Sequence, residues 1–208
     1  MGLWQVWTRQ CVCRPYYGKR VVERELSQKA AERQIGWVDA PVSGGQSGAE
    51  NGCLTVLCGG TNTDVSAAEP VMRAYAAQIT HFGAVGSGQL AKMVNQICIA
   101  GCVQGLAEGL AFGMHAGLDM PKLIKALSGG AASSWQMINR GARWSKVNSI
   151  LDLLWIGCVK TWGLRWQKPN AMAPSLISQN WLTVNYQEVQ QMGGGRLDTS
   201  SLIKRLVK

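Results

Sequence analysis

The sequence predicts an α/β fold followed by a mostly helical region that contains one long helix. Up to residue 85, short β-type runs alternate with helical patterns, and this alternation is typical of α/β proteins. Between residues 88 and 117 the apolar residues instead recur at spacings of three and four, which indicates a helix. The chain has 208 residues, 47% of them hydrophobic, which is enough for one good core or two small ones.

The first predicted element is a charged helix, in which residues such as Glu23 form a charged face interrupted by apolar positions. Short strands are predicted at residues 35–39, 54–58 and 79–82, with a helix over residues 64–78 before the last of them. The proline and the paired glycines after the first of these strands predict that it ends in a loop.

The long helix at residues 88–117 is apolar on more than one face. A membrane span is disfavoured, because Lys92, Asn95 and further polar residues interrupt any run of about 20 apolar residues. Glycines recur at every fourth position and allow another backbone to approach closely, so we expect this helix to be buried in a bundle or a dimer. These glycines are Gly101, Gly105, Gly109 and Gly113. Further short helices are predicted at residues 122–127 and 133–140.

The formal net charge of +9 invites the interpretation of a nucleic-acid-binding protein. The charge is concentrated in residues 1–20 and 143–184, each of which contributes +4. Both stretches are rich in tryptophan, and their basic residues are scattered rather than clustered on one face with aromatic or polar readers. We therefore expect no nucleic-acid partner and regard both stretches as anomalous.

The seven cysteines do not form a recognisable metal or redox motif. Cys11 and Cys13 are separated by one residue, whereas zinc knuckles and redox pairs use two. Cys98 and Cys102 lie four residues apart in an apolar helical pattern, which favours buried small residues over ligands. Reduced thiols and the lack of a recognisable secretory signal predict a cytoplasmic protein.

The first segment that carries chemistry is residues 39–45, which read Asp-Ala-Pro-Val-Ser-Gly-Gly. At this predicted transition from strand to loop, the hydroxyl of Ser43 and the N–H groups of Gly44 and Gly45 can surround an anion such as a carboxylate. A plain turn is the alternative interpretation of the same residues.

The second segment is residues 86–96, at the start of the long helix. Lys92 is followed by Asn95 at i+3 and Gln96 at i+4, so the three side chains can address one site. A cation and an amide on one helix face suit a substrate oxyanion, although a surface lysine that lays its stem along apolar neighbours is the alternative. The Gly-Ser-Gly sequence at residues 86–88 lacks the third glycine of a dinucleotide fingerprint.

In this order and at this separation, the two segments resemble those of the 3-hydroxyisobutyrate dehydrogenase (β-hydroxyacid dehydrogenase) family. Residues 39–56 resemble the substrate loop and the next strand of that family, and residues 86–96 resemble its catalytic-lysine helix. Residues 192–203 resemble its C-terminal end. The resemblance covers about residues 21–142 and 185–206.

The resemblance implies a remnant of a Rossmann-type parallel sheet with about three strands. Residues 21–85 are then a partial dinucleotide-binding domain, and residues 86–208 are a helical domain for substrate binding and dimerisation. The implied activity is hydride transfer between NAD or NADP and a small β-hydroxyacid or semialdehyde. We accordingly expect a small-molecule substrate and a homo-oligomer, without a membrane partner.

Site residues follow from the same resemblance. Lys92 is the implied general acid/base, which protonates the carbonyl oxygen as hydride arrives or takes the hydroxyl proton in the reverse direction. The implied substrate-binding residues are Ser43, Gly44, Gly45, Asn95 and Gln96. Lys160 is the candidate cofactor-binding residue.

Two departures from the family pattern accompany the resemblance. Only 36 residues precede Trp37, whereas one βαβ unit takes about 30 residues, so we expect the glycine-rich phosphate turn of the family to be missing. Residues 143–184 match nothing in the family, although the sequence resembles it on both sides. A shift of reading frame across residues 159–168 yields a family-like segment. Our hypothesis is that residues 1–20 and 143–184 are out-of-frame translations.

Two other functions remain open at this level. A catalytically inactive fragment could act only as a dimerising interaction module through the helix at residues 88–117. A basic nucleic-acid binder is the third possibility, and its affinity would fall steeply with salt.

Overall fold

The computed structural model describes residues 11–14, 20–144, 184–185, 187–193 and 202–206. Its elements, in chain order, are β1 (Cys11–Arg14), α1 (Arg20–Ala31), β2 (Gly36–Asp39), β3 (Val42–Ser43), α2 (Gly45–Glu50), β4 (Leu54–Cys58), α3 (Asn62–Met72), β5 (Ala76–His81), α4 (Ser87–His115), α5 (Met120–Leu127), α6 (Trp135–Trp144) and α7 (Leu202–Leu206). The chain divides into two compact units, Met1–Asn95 and Gln96–Lys208, and the boundary between them falls within α4.

The strands of the first unit form two small sheets. β1 and β2 pair in parallel, with α1 between them in the chain, so β1, α1 and β2 make a βαβ unit. In the second sheet, β4 lies between β3 and β5, antiparallel to β3 and parallel to β5. An isolated bridge between Asp39 and Gly59 joins the end of β2 to the residue after β4. The predicted α/β fold is confirmed, with a mixed arrangement of strands.

The core of the first unit lies between the strands and α3. In β4, Leu54, Val56 and Cys58 are buried, as expected when alternate side chains of a strand face the core. On α3, Val65 and Met72 are buried on one face. The remaining buried members of the core are Val38, Ala40, Ala68 and Ala76.

The structure corrects the predicted boundary between α3 and β5. The helix predicted over residues 64–78 ends at Met72, and the strand begins at Ala76 rather than at residue 79. Alanine and glutamine favour a helix at residues 76–78, but Ala76 pairs with Leu54 across the sheet. Pairing with β4 therefore overrides local helix propensity.

The number of strands is also larger than predicted. Five strands are described where about three were expected. β1 lies inside the stretch regarded as anomalous, and β3 is a two-residue strand within the predicted loop. β3 exists because Val42 lies opposite Val56 and Ser43 lies opposite Thr55. Strands this short have no periodicity that a sequence could reveal.

The second unit is built around the long helix α4. One face of α4 packs against residues of α5, α6 and α7. The buried residues of this core are Ala100, Val103, Leu106, Ala107, Leu110, Ala111, Met120, Ile124, Met137, Trp144, Leu202 and Ile203. Gly113 permits a close approach of α5, because a Cβ there would lie 3.0 Å from Leu123 Cδ2. The helices predicted at residues 122–127 and 133–140 are α5 and α6, the latter displaced towards the C-terminus.

The opposite face of α4 is exposed in this unit, so the prediction that Cys98 and Cys102 are buried is wrong. Both thiols are free and exposed. Among the described residues, a Cβ built on Gly101, Gly105 or Gly109 would meet no atom within 4 Å apart from the backbone of its own helix. The core contacts of α4 run along the other side of the helix, which leaves this face to the surface.

α4 is also long and apolar enough to cross a membrane, with a mean hydropathy of 1.5 over its most apolar 18 residues. A single helix of this kind is weak evidence for a span, because the core helix of a globular protein passes the same test. The packing of one α4 face into the core of the second unit accounts for much of its apolar character.

Candidate active site

The candidate site is organised around the end of β2. Asp39, its last residue, is fully buried. Its carboxylate accepts a hydrogen bond from the backbone N–H of Gly86 at 2.6 Å and another from that of Gln89 at 2.9 Å. N–H groups at the start of a helix have no partner within the helix. Asp39 therefore caps α4 from a distant part of the chain.

Two glycines bring the start of α4 directly onto the strand ends. A Cβ on Gly88 would lie 2.3 Å from the carbonyl oxygen of Leu57 and 2.8 Å from that of Asp39. A Cβ on Gly59 would lie 2.7 Å from Asp39 Oδ1 and 2.9 Å from the nitrogen of Gly88. Only glycine fits at either position without a shift of backbone. Internal packing thus explains the glycine that opens α4.

The environment of Asp39 determines the protonation of its carboxyl group. Burial raises the pKa of Asp39 above its ordinary value of 3.8, because the charged form loses its hydration. Hydrogen bonds from the backbone N–H groups of Gly86, Gln89, Gly88 and Asp39 itself lower the pKa, but by less than burial raises it. The charge on this carboxylate is therefore costly and only partly compensated.

A second buried acid reaches the same helix turn. Glu23 on α1 is fully buried, although the sequence predicted it on a charged face. Gln89 Nε2 lies 3.3 Å from Glu23 Oε1, and Trp37 Nε1 donates to Glu23 Oε2 at 3.2 Å. Gln89 is itself fully buried. Sequence patterning missed this contact, because an acidic residue in a polar helix reads as exposed.

Lys92 lies one helical turn after Gly88, and its side chain is half-buried. Asn95 and Gln96 are also half-buried and follow at i+3 and i+4 within the same continuous helix. Residues at these spacings are neighbours on a helix surface. The continuity of α4 therefore gives Lys92 and the two amides a common direction.

The predicted carboxylate loop begins four residues after Asp39. Ser43 ends β3 and is half-buried, while Gly44 and Gly45 are exposed. Gly44 has φ 132° and Gly45 has φ 64°, which are conformations that residues with side chains rarely adopt. A Cβ on Gly44 would also lie 2.9 Å from Leu54 Cδ2. Both glycines are thus required by the backbone, and their N–H groups are not screened by side chains of their own.

The connection through Asp39 limits how far apart the two predicted segments can be. A four-residue stretch spans at most about 14 Å, which bounds the distance of Ser43 from Asp39. Gln89, whose N–H binds Asp39, precedes Lys92 by three residues, or less than one helical turn. The loop and the lysine therefore extend from one junction within the first unit.

The ring of His81 is held by contacts with the backbone. Its Nε2 lies 3.0 Å from the carbonyl oxygen of Gly60 and 2.9 Å from that of Gly83. It borders an open cleft of about 530 Å³ at the carboxyl ends of β4 and β5. Because a carbonyl oxygen can only accept a hydrogen bond, Nε2 is the donor in these contacts. They give the ring a structural role.

The described residues do not fit the pyrophosphate of a dinucleotide. The glycines at the turn from β4 to α3 face the chain itself, because a Cβ on Gly60 would lie 2.9 Å from the oxygen of Trp37 and one on Gly59 would lie against Asp39. Residues 15–19, which follow β1 and include a single glycine, Gly18, lie outside the described residues. Lys160, the predicted cofactor residue, lies outside them as well.

Comparison with known proteins agrees with this geometry. Residues 86–206 match a family model described as the NAD-binding domain of NADP-dependent 3-hydroxyisobutyrate dehydrogenase. Residues 20–83 match one described as the NAD binding domain of 6-phosphogluconate dehydrogenase. The chain belongs to the 3-hydroxyisobutyrate dehydrogenase family. The resemblance predicted from the two segments is confirmed, and the descriptions of both matching models include NAD binding.

Relatives in this family cover most of the chain. An uncharacterized oxidoreductase of Shewanella frigidimarina is 46% identical over 90% of the chain, which spans 64% of that protein. The 2-hydroxy-3-oxopropionate reductase of Escherichia coli is 30% identical over 91% of the chain, which spans 68% of it. The chain thus corresponds to about two thirds of the length of these relatives.

Solved structures show the same fold at lower identity. The 3-hydroxyisobutyrate dehydrogenase of Salmonella typhimurium superposes with a TM-score of 0.79 at 22% identity, covering 94% of this chain and 69% of its own. That of Mycobacterium tuberculosis gives a TM-score of 0.82 at 23% identity, with the same coverage. The predicted Rossmann-type fold class is therefore confirmed.

Proposed function

We propose that this chain supplies the substrate-binding loop and the general acid/base of an NAD(P)-dependent oxidoreductase that acts on a small β-hydroxyacid or its semialdehyde. One observation carries the proposal: the carboxylate of Asp39 holds the first turn of α4. Asp39 starts the loop that contains Ser43, and α4 carries Lys92. The two segments with matching chemistry are thereby tethered to one junction.

Lys92 acts on the substrate oxygen through its Nζ. In reduction the ammonium gives a proton to the carbonyl oxygen, and in oxidation the amine takes the proton of the hydroxyl. The half-buried position of Lys92 supports this role, because the side chain is partly shielded from bulk water and still accessible to a ligand. The neighbouring amides of Asn95 and Gln96 orient the substrate by hydrogen bonds.

The loop at residues 43–45 binds the substrate carboxylate. The Ser43 hydroxyl and the N–H groups of Gly44 and Gly45 donate hydrogen bonds to its oxygens. The positive φ angles of both glycines support this role, since they turn the backbone without adding side chains. The combination of an anion-binding loop with a proton donor selects a substrate that has both a carboxylate and a carbonyl or hydroxyl group.

NAD or NADP is the hydride carrier of the proposed reaction. Among the described residues no phosphate-binding turn for it is present. No described residue is therefore assigned to the cofactor, and the roles assigned to this chain are proton transfer and substrate binding. Lys160 stays a prediction from the sequence.

The test is an assay of the full chain with NAD⁺ and NADP⁺ against a series of short β-hydroxyacids. We expect Lys92→Ala to lower kcat by at least about a hundredfold, the usual contribution of general acid/base catalysis, with an unchanged melting temperature. Lys122→Ala, on the exposed surface of α5, is the matched control and keeps wild-type turnover. Wild-type turnover in Lys92→Ala would exclude the proposed role.

A specific observation favours a second function, self-association through α4. The exposed face of α4 carries Gly101, Gly105 and Gly109, together with Phe112, which is 75% exposed. Apart from the backbone of α4 itself, no described atom lies within 4 Å of the Cβ position of any of these three glycines. Each glycine costs the helix about 1 kcal/mol relative to alanine, and nothing in the described part of the chain requires it. Close approach of the same helix from a second copy would account for all three.

Self-association is tested by light scattering coupled to size-exclusion chromatography. We expect wild-type dimers and a monomeric Gly105→Leu variant, because a leucine at the centre of the face keeps two backbones apart. Ala126→Leu, at an exposed position of α5, adds similar bulk elsewhere and leaves the dimer intact. A dimer in Gly105→Leu would place the interface on another surface. A dimer that shows no turnover with either cofactor would favour the interaction module over the enzyme.

A further inference from the structure

Two buried acids hold the first turn of α4 from different sides, and the proposed chemistry uses neither. Asp39, Glu23 and their shared partner Gln89 are all fully buried. Buried carboxylates are costly unless they are hydrogen-bonded, so a pair at one helix turn requires a reason. The start of α3 shows that a helix in this unit can be capped more simply, by the hydroxyl of Thr61.

The two contacts constrain different motions of α4. Asp39 binds backbone N–H groups at the helix end, which fixes where the helix begins. A helix held only at its end can still turn about its own axis. The side chain of Gln89 contacts Glu23 on α1, away from the axis, and this contact opposes such a rotation. Lys92 lies less than one turn beyond Gln89, so a rotation at Gln89 would be carried to the lysine.

The contacts of Asp39 and Glu23 with α4 both involve residues of β2. Trp37 and Asp39 are two residues apart on β2 and therefore point to the same face. Asp39 binds α4 directly, while Trp37 donates to Glu23, which in turn contacts Gln89. The strand, α1 and α4 thus form a closed set of hydrogen bonds around the helix start. A network of this kind defines one orientation of the helix more strictly than apolar packing does.

We propose that Glu23 and Asp39 are positioning residues that fix the start and the rotation of α4 and thereby place the Nζ of Lys92 at the substrate oxygen. This inference rests on the proposed function and adds a specific role for two acids outside the reacting atoms. A misplacement of about 1 Å in a catalytic group can cost about a hundredfold in rate.

The experiment compares Glu23→Gln, Asp39→Asn and Gln89→Met with Asp64→Asn as the matched control. Asp64 is a buried carboxylate in the first turn of α3, where it accepts a hydrogen bond from the hydroxyl of Thr61. We expect the first three variants to lower kcat by about ten- to a hundredfold, with KM for the hydroxyacid within threefold of wild type. Asp64→Asn keeps the wild-type kcat, although it lowers stability.

A combined variant separates positioning from simple loss of stability. Glu23→Gln together with Gln89→Met removes both partners of one contact. We therefore expect the double variant to have a kcat no lower than that of the less active of the two single variants. Equal values of kcat in Glu23→Gln and Asp64→Asn would overturn the inference. Gln89→Met retains both acids and nearly the same side-chain volume. It therefore tests the contact between Glu23 and Gln89 even if either acid variant fails to fold.

Amide hydrogen exchange tests, independently of turnover, whether Glu23 and Asp39 hold the start of α4. We expect exchange at residues 86–92 to be at least tenfold faster in Asp39→Asn and Glu23→Gln than in Asp64→Asn. If the wild-type chain shows no turnover, the proposed function fails. Hydrogen exchange alone then decides whether Glu23 and Asp39 hold the start of α4. Unchanged exchange at these amides would overturn the inference.

Discussion

The carboxylate oxygen Oδ1 of Asp39 lies 2.6 Å from the backbone nitrogen of Gly86, which is 47 residues further along the chain. This hydrogen bond joins the end of β2 to the start of α4. Charge-assisted hydrogen bonds of this length are among the stronger ones in proteins. Because residues 43–45 follow Asp39 and Lys92 follows Gly86, the bond ties these two separate segments to one junction.

The role of Ser43 can be tested through substrate affinity. We expect Ser43→Ala to raise KM for the hydroxyacid about tenfold or more, because a hydrogen bond to a charged group contributes about 1.5–3 kcal/mol. Ser66→Ala, on the exposed surface of α3, is the control and leaves KM unchanged. Steady-state kinetics with the methyl ester of the same substrate provide a second check, since the ester has no carboxylate to lose. A penalty of equal size with the ester would argue against the proposed contact.

The raised pKa of Asp39 predicts an unusual dependence of stability on pH. Because burial raises the pKa in the folded state above the ordinary value of 3.8, the folded chain binds this proton more tightly than the unfolded chain. The stabilising contribution is complete below pH 3.8 and is lost as the pH rises through the folded-state value.

The comparison of wild type with Asp39→Asn measures this effect, since asparagine does not titrate. We expect the free energy of unfolding of the wild type to fall relative to that of the variant as the pH increases above 3.8, and then to level off. Denaturant titrations across this range supply the values. A difference that increases with pH would show that the N–H hydrogen bonds outweigh burial.

How much of this site the sequence could predict depends on the kind of residue. Alternating and helical periodicities predicted β2, β4 and α4, since each buries an apolar face. The burial of Glu23 could not be predicted in this way, because the donors that satisfy it come from Trp37 and Gln89 on other elements. Acidic residues are read as exposed unless such partners are known.

The glycines show the same division between local and distant causes. Gly44 and Gly45 were predicted to end the strand in a loop, and their positive φ angles show a local need for glycine. Gly88 was predicted only as the start of the long helix, and it lies within the first turn of α4. Its requirement comes from the oxygens of Leu57 and Asp39, which no local pattern indicates.

A test of this close approach is the replacement of Gly88 by alanine. The added Cβ would lie 2.3 Å from a backbone oxygen, so the start of α4 must move away from β4. Overpacking typically costs about 1–3 kcal/mol, and we expect the upper end because a backbone rather than a flexible side chain obstructs the methyl group. Urea denaturation gives the value. Gly129→Ala, where nothing lies within 4 Å, is the control and changes stability by less than about 0.5 kcal/mol.

Cys98 and Cys102 report on the exposed face of α4 without any change of sequence. Both thiols are exposed in the single chain and lie on the same face as Gly101 and Gly105, so a dimer through this face would cover them. We expect their rate of alkylation, followed by peptide mass spectrometry, to fall as the protein concentration rises. Cys53, which is exposed in the first unit, keeps a constant rate and serves as the internal standard. In Gly105→Leu we expect both thiols to react, at every protein concentration, at the rate that the wild type shows at low concentration. Equal rates at every concentration would exclude this face as the interface.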